Sequence, residues 1–350
     1  MLNTVAHRQA ARLTYTAETT VSMALEATGA VTRIVLLVDL DPSATMASGA
    51  CEVEGPARVI NTLKIVGGGG RVYFDIGNDA SGRMIQWLNR YDGIQRGTGH
   101  SKLGASVHVA FVLHFGSRPQ HRHGWDNPYD MSAFIPAFND DELRIEWTPP
   151  TAALSIDDTV TIDPDTFMYA TVYEVTGNKS DLRREMARQG VSRAMVPTST
   201  YYVDTPGAVA YTDYQRELDV LTGNYLRRIL IMSHNDDTDH PERTDLEMTG
   251  IAVVLPSVGQ RFLADDFAAL SLTQGHIEPD VQDAGAATLG INSLMGGIAC
   301  LDFRQHADSD YGLDLRNYKV GDVKTGATIA GNADYDQFYW FDMLQDYMEL

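Results

Sequence analysis

Short runs of β-branched, aromatic and aliphatic residues recur along this chain, and Gly, Pro, Asp and Asn separate them. That punctuation predicts β-strands joined by turns. The runs in the first half are 33–38, 62–66, 71–76, 107–115, 143–147, 159–162 and 168–175. Those in the second half are 201–203, 226–232, 250–255, 298–303, 311–320 and 322–329. Alternation in 107–115 puts Val107, Val109, Phe111, Leu113 and Phe115 on one face and His108, Ala110, Val112 and His114 on the other, as in a strand with one well-buried side.

The second half repeats the pattern of the first. Thr28-Gly29 precedes the run starting at Arg33, and Thr222-Gly223 precedes the run starting at Arg228. Leu63-Lys64-Ile65, a glycine turn and Arg71 are echoed by Val253-Val254-Leu255, a turn and Arg261. Leu113-His114-Phe115 is echoed by Leu301-Asp302-Phe303. The offsets are 195 (33 to 228), 190 (71 to 261) and 188 (113 to 301), one order with slow drift. Duplication of a β-domain followed by changes in loop length produces that pattern.

Helical signals are few. Residues 81–91 place Met84, Trp87 and Leu88 at helical spacing directly after the run at 71–76. Residues 265–270 occupy the corresponding place in the second half. A third candidate, 180–189, has Ser180 to cap it and Gly190 to end it. Many strands without a strand–helix rhythm exclude a parallel α/β fold and predict antiparallel sandwiches.

A length of 350 residues predicts two domains. With 44% hydrophobic and 21% charged residues, the chain can fill two cores. The formal net charge of −20 argues against a broad phosphate-binding surface. The two cysteines, Cys51 and Cys300, lie in different halves and read as reduced structural thiols. The first 20 residues have no apolar stretch of signal-peptide length, and no run has the ~20 apolar residues that span a bilayer, so synthesis in the cytoplasm is expected.

These features define an all-β fold class: two tandem eight-stranded jelly-roll sandwiches with a few short helices. The expected division is an N-terminal segment (1–20), jelly-roll domain 1 (21–176), a linker (177–200), jelly-roll domain 2 (201–333) and a C-terminal segment (334–350). In architecture and internal repetition the chain resembles the double jelly-roll major capsid proteins of icosahedral viruses, many of which enclose a membrane. The resemblance spans most of the chain and rests on no diagnostic short motif. It implies two upright jelly rolls per subunit and a homotrimer of pseudo-hexagonal outline, whose six similar edges tile a shell.

On that resemblance the partners are the chain itself, neighbouring trimers, and minor capsid or vertex proteins. Its place is the virion, after synthesis in the host cytoplasm. Arg8 and Arg12, in a segment with no acidic residue before Glu18, suit an inward N-terminus facing a membrane or the genome. The C-terminal segment carries Tyr335, Phe338, Tyr339, Trp340, Phe341 and Tyr347 with five acids and no base. Such apolar density needs a partner surface, either its own domain or a neighbouring subunit. Arg183, Arg184, Arg188 and Arg193 in the linker are the basic groups placed to pair with acidic neighbours across a contact.

Little in the sequence asks for catalysis. His121-Arg122-His123 with Asp126 resembles the first metal motif of cupins, but the spacing differs, the expected Glu is missing and no matching second motif follows. The acidic runs at 233–240 and 308–312 lack the glycine and distal Glu of a helical calcium loop. Gly67-Gly68-Gly69-Gly70 is followed by a strand in place of Lys-Ser/Thr and a helix, so it reads as a hairpin turn. No catalytic residue, cofactor or small-molecule substrate is expected. The alternatives are a metal-dependent bicupin-like enzyme using His121 and His123, or a carbohydrate- or receptor-binding β-sandwich.

Overall fold

The computed structural model describes residues 3–40, 55–77, 81–94, 100–103, 106–116, 127–140, 142–151, 162–205, 209–235, 248–264, 297–304, 311–331 and 335–347. The chain divides into two compact units. One runs to Thr198 and takes in Asp346 and Tyr347; the described residues from Ser199 to Gln345 form the other.

The first unit contains β1 (Asn3–Arg8), β2 (Leu13–Thr14), β3 (Val21–Ala24), β4 (Ala30–Leu40), β5 (Thr62–Val66), β6 (Val72–Ile76), α1 (Ser81–Tyr91), β7 (His100–Leu103), β8 (Ser106–His114), β9 (Ile135–Pro136), β10 (Arg144–Thr148), β11 (Phe167–Thr176) and α2 (Lys179–Arg188). One sheet has the order β1-β11-β4-β8-β7, with β2 on β11 and β9 on β4; the other is β3-β10-β5-β6. Of the eight principal strands, the first, eighth, third and sixth make one sheet and the second, seventh, fourth and fifth the other. That winding is a jelly roll.

Alternation in the strands fills the space between the sheets. Ile34, Leu36, Val38 and Leu40 of β4 meet Val107, Val109, Phe111 and Leu113 of β8, and Leu63, Ile65, Ile145 and Trp147 oppose them; none is more than 3% exposed. Each such side chain contributes ~1.5–3 kcal/mol through burial. The Trp147 indole N–H donates to the Val59 carbonyl at 3.1 Å, so the ring enters the core without an unpaired donor.

The second unit follows with β12 (Met195–Asp204), β13 (Tyr211–Glu217), β14 (Tyr225–Asn235), β15 (Met248–Leu255), β16 (Gln260–Ala264), β17 (Ile298–Asp302), β18 (Leu313–Asp314), β19 (Lys324–Ile329) and β20 (Tyr335–Asp346). Its sheets are β12-β20-β14-β17 and β13-β19-β15-β16, with β18 on β14. The strand order is that of the first unit. Its core gathers Leu226, Ile229 and Ile231 with Ile251, Val253, Tyr339 and Phe341.

Register confirms the duplication at two of its three points. Arg33 faces His114 and Ile34 faces Leu113; Arg228 faces Asp302 and Ile229 faces Leu301, matching offsets 195 and 188. The hairpin match shifts by two residues. Ile65 pairs with Phe74 and Val253 with Phe262, both nine apart, so the hairpin offset is 188 and not 190. A shift of two keeps every side chain on its face, which is why the sequence pattern tolerated it.

The structure corrects several boundaries. Residues 3–8 are not a separate N-terminal segment: they pair with the C-terminal part of β11, from Asn3 opposite Thr176 to Arg8 opposite Thr171. The expected linker is a docked helix followed by a strand, because Leu182 and Met186 bury against Ala30, Met131, Phe134 and Val175. Asn178, not Ser180, caps α2, its side chain accepting from the Asp181 N–H at 2.9 Å. The strand expected over 311–320 shrinks to β18, because Asp314 accepts from the Arg316 N–H at 3.1 Å and turns the chain. The helix expected at 265–270 and most of 159–162 lie outside the described residues.

Candidate assembly surfaces

The aromatic C-terminal segment is the eighth strand of the second jelly roll. β20 lies between β12 and β14, and Phe338, Tyr339, Trp340 and Phe341 are 0–5% exposed. This corrects the expectation that these four rings meet a neighbouring subunit: both faces of the strand already bury them in their own chain. Tyr335 contributes its backbone to β20 opposite Asn235. Tyr347 belongs with the first unit, where it packs edge-on against Phe134 and Phe138 at 6.3 Å and its hydroxyl accepts from the Asn139 amide.

The linker arginines stand on the outer side of α2. Arg184 and Arg188 are 80% and 74% exposed along their side chains. Arg188 donates from Nε and Nη2 to Glu185 at 2.7 and 2.5 Å, and Arg184 approaches Asp181 at 3.5 Å. The Arg188 hydrogen bonds hold the Glu185 carboxyl below its ordinary value against the opposing effect of burial. Arg183, Met186, Ala187, Val191, Arg193 and Tyr347 line an open cleft of about 670 Å³ beside the helix. Arg193 reaches Asp346 at 3.3 Å.

The N-terminal arginines lie over two aromatic rings of β11. Arg8 sits 3.5 Å over Tyr169 and Arg12 4.4 Å over Phe167. In both contacts the guanidinium itself covers the ring face, where the ring quadrupole attracts the charge. Tyr169 and Phe167 belong to the outward face of the sheet, where Leu37 is 37% exposed and Val35, Asp39, Ala110, Val112 and Thr171 are half-buried. Sequence alternation had already turned His108, Ala110, Val112 and His114 to that side.

His121, His123 and Asp126 lie outside the described residues, as do Cys51 and the centres of both acidic runs. Among the described residues no group of three or more His, Cys, Asp or Glu is arranged to hold a metal ion. Cys300 is buried in β17. The glycine run is the β5–β6 turn: Gly67 N–H donates to the Arg71 carbonyl at 2.8 Å, and Asp140 accepts from Gly68 N–H at 2.7 Å and from the Tyr73 hydroxyl at 2.9 Å.

Two sandwiches of one winding, joined in a single chain, define a double jelly-roll protein. Solved structures with that fold align over nearly the whole chain. The STIV MCP aligns with a TM-score of 0.68 at 13% identity, covering 98% of this chain and 97% of that one. A chain from the atomic structure of Sulfolobus turreted icosahedral virus gives 0.66 at 12% identity, covering 98% and 90%. The major capsid protein P2 of bacteriophage PM2 gives 0.54 at 9% identity, covering 99% of each chain. No family model and no curated protein matches the sequence. At such identities the likeness is one of fold.

Proposed function

We propose that this chain is the major capsid protein of an icosahedral virus, assembling as a homotrimer of pseudo-hexagonal outline that tiles the shell. The observation that carries the reading is the duplication: one chain holds two jelly rolls of identical strand order, and nearly its whole length aligns with capsid subunits. Three such chains supply six like units around a ring, the geometry that hexagonal packing needs. The work is self-association, with no substrate turned over.

In this reading the exposed arginines of α2, Arg183, Arg184 and Arg188, pair with carboxylates of a neighbouring subunit in a chain rich in acids. Tyr347 and the cleft beside it form part of the same contact region. Minor capsid or vertex proteins are further partners. Arg8 and Arg12, stacked over the Tyr169 and Phe167 rings, supply positive charge for an anionic membrane surface or the genome. The chain is made in the host cytoplasm and works in the virion.

The test is native mass by light scattering on a sizing column, with negative-stain images of the same peak. A particle of three times 38.5 kDa with a six-sided outline is expected. A monomer, or a two-fold dimer with no tendency to tile, overturns the proposal.

A further inference from the structure

One row inside the second jelly roll is polar where its twin in the first is apolar. In the first unit, Met168 of β11 lies between Leu13 of β2 and Val38 of β4. All three are at most 3% exposed. In the second unit, Gln337 of β20 lies opposite Ser233 of β14. These are matching positions: Ser233 stands five residues after Arg228 and Gln337 five before Asp342, as Val38 and Met168 stand to the paired Arg33 and Tyr173. The third member of the row is Asp204 of β12. Tyr202 packs on Tyr339 at 6.4 Å and the Thr205 hydroxyl donates to Asp336 at 2.5 Å, an antiparallel register that sets Asp204 opposite Gln337.

Strand alternation turns Ser233 and Gln337 to the same inner face as Ile231 and Tyr339 of the core. Ser233 and Gln337 are fully buried and Asp204 is 3% exposed. Each keeps one polar atom without a hydrogen-bond partner among the described residues: Ser233 Oγ, Gln337 Nε2 and Asp204 Oδ2. The other side-chain oxygens of Gln337 and Asp204 are taken. The Tyr339 hydroxyl donates to Gln337 Oε1 at 2.8 Å, and Asp204 Oδ1 accepts from the Tyr214 hydroxyl at 3.2 Å and from Arg216 Nη2 at 3.0 Å.

We propose that this row binds ordered water inside the second jelly roll, bridging Asp204, Gln337 and Ser233. Three polar side chains standing together where the first copy has three apolar ones need a common partner, because each buried polar atom left unmet costs stability. The chemistry selects a neutral partner. Gln337 Nε2 offers only hydrogens, which disfavours a cation, and the Arg216 guanidinium adds to that. The Asp204 carboxylate offers only lone pairs, which disfavours an anion. Water accepts from Gln337, donates to Asp204 and does either with Ser233, so it has the three partners typical of a buried water. It ties β12, β20 and β14 through side-chain bonds where the first unit has apolar packing.

The test is a double-mutant cycle by urea titration of the full chain. Ser233→Val and Gln337→Met carry the first unit's residues into the second, and far-UV circular dichroism establishes folding. A shared water is lost with its first partner. Each single variant should therefore raise the unfolding equilibrium constant at least about fivefold, and the double variant should cost no more than the larger single. Separate unmet groups predict otherwise: each replacement relieves one of them, so the singles stabilise and their effects add. Stabilisation by the singles, or additivity of either sign, overturns the proposal. A crystal structure of the wild type gives a second measurement, independent of how the variants fold. A water within ~3.2 Å of Ser233 Oγ, Gln337 Nε2 and Asp204 Oδ2 is expected there, and density showing none overturns the proposal.

Discussion

Arg228 lies directly across the ladder from Asp342, and its Nε donates to the Asp342 carboxylate at 2.7 Å with both side chains 2% exposed. Arg227, displaced by a bulge, turns onto the same carboxylate from its Nε at 3.0 Å. Burial pulls the Arg227 guanidinium below its ordinary value and Asp342 opposes that pull. The counterpart of Arg228 in the first unit, Arg33, instead donates to the His114 ring at 3.3 Å.

Removing the carboxylate strips the buried arginines of a shared counter-charge. Asp342→Ala is expected to lower unfolding free energy by about 3–5 kcal/mol in urea titration. A loss below 1 kcal/mol would mean that the pair adds little to the fold.

The two Thr-Gly echoes need glycine for different reasons. A Cβ on Gly29 would stand 2.5 Å from the Val175 carbonyl oxygen, beside the Glu174 carboxylate that accepts from the Gly29 N–H at 2.6 Å. Gly223 has open space around it but a φ of +82°. Gly29→Ala is expected to cost ~1–3 kcal/mol through overpacking, and Gly223→Ala ~1–2 kcal/mol through backbone strain. Gly223→Asn tells them apart: asparagine tolerates that φ, so it should recover part of the loss, whereas Gly29→Asn should be worse than Gly29→Ala.

Phe341 is fully buried in β20. Phe341→Ala is expected to cost ~3–5 kcal/mol of stability in the dissociated chain as well as in the assembly. Chemical denaturation below the association concentration makes the check; a loss seen only in assembled protein would return this ring to the interface.

Glu185 supplies a pH dependence. Its folded pKa is lowered, so its stabilising contribution is present above its ordinary value of 4.5 and is lost as pH falls below it. Glu185→Gln should therefore melt below wild type at pH 7, with the gap narrowing toward pH 4. A gap independent of pH would exclude the carboxylate as its source.

Much of the sandwich was legible from local pattern. The runs 33–38, 62–66 and 107–115 became β4, β5 and β8 because alternating apolar side chains have one stable use, a strand with one buried face. The hairpin echo slipped by two residues because a period of two gives no penalty for that error. The C-terminal rings were legible as needing cover, but sequence could not say from where: β20 is paired with β14, from Asn235 opposite Tyr335 to Tyr225 opposite Leu344, a partner about 110 residues away.

The sequence alone determined strand composition, the scarcity of helices and the duplication, all of which are properties of neighbours along the chain. Tertiary structure decided which edge each strand joins, that 3–8 and 335–346 complete sheets and are not tails, and that one outward face is buried while its twin around Leu37 is not. Exposure depends on what lies over a surface. Val35 and Leu230 have the same pattern of neighbours in sequence and in register, and only the folded chain places cover on one of them.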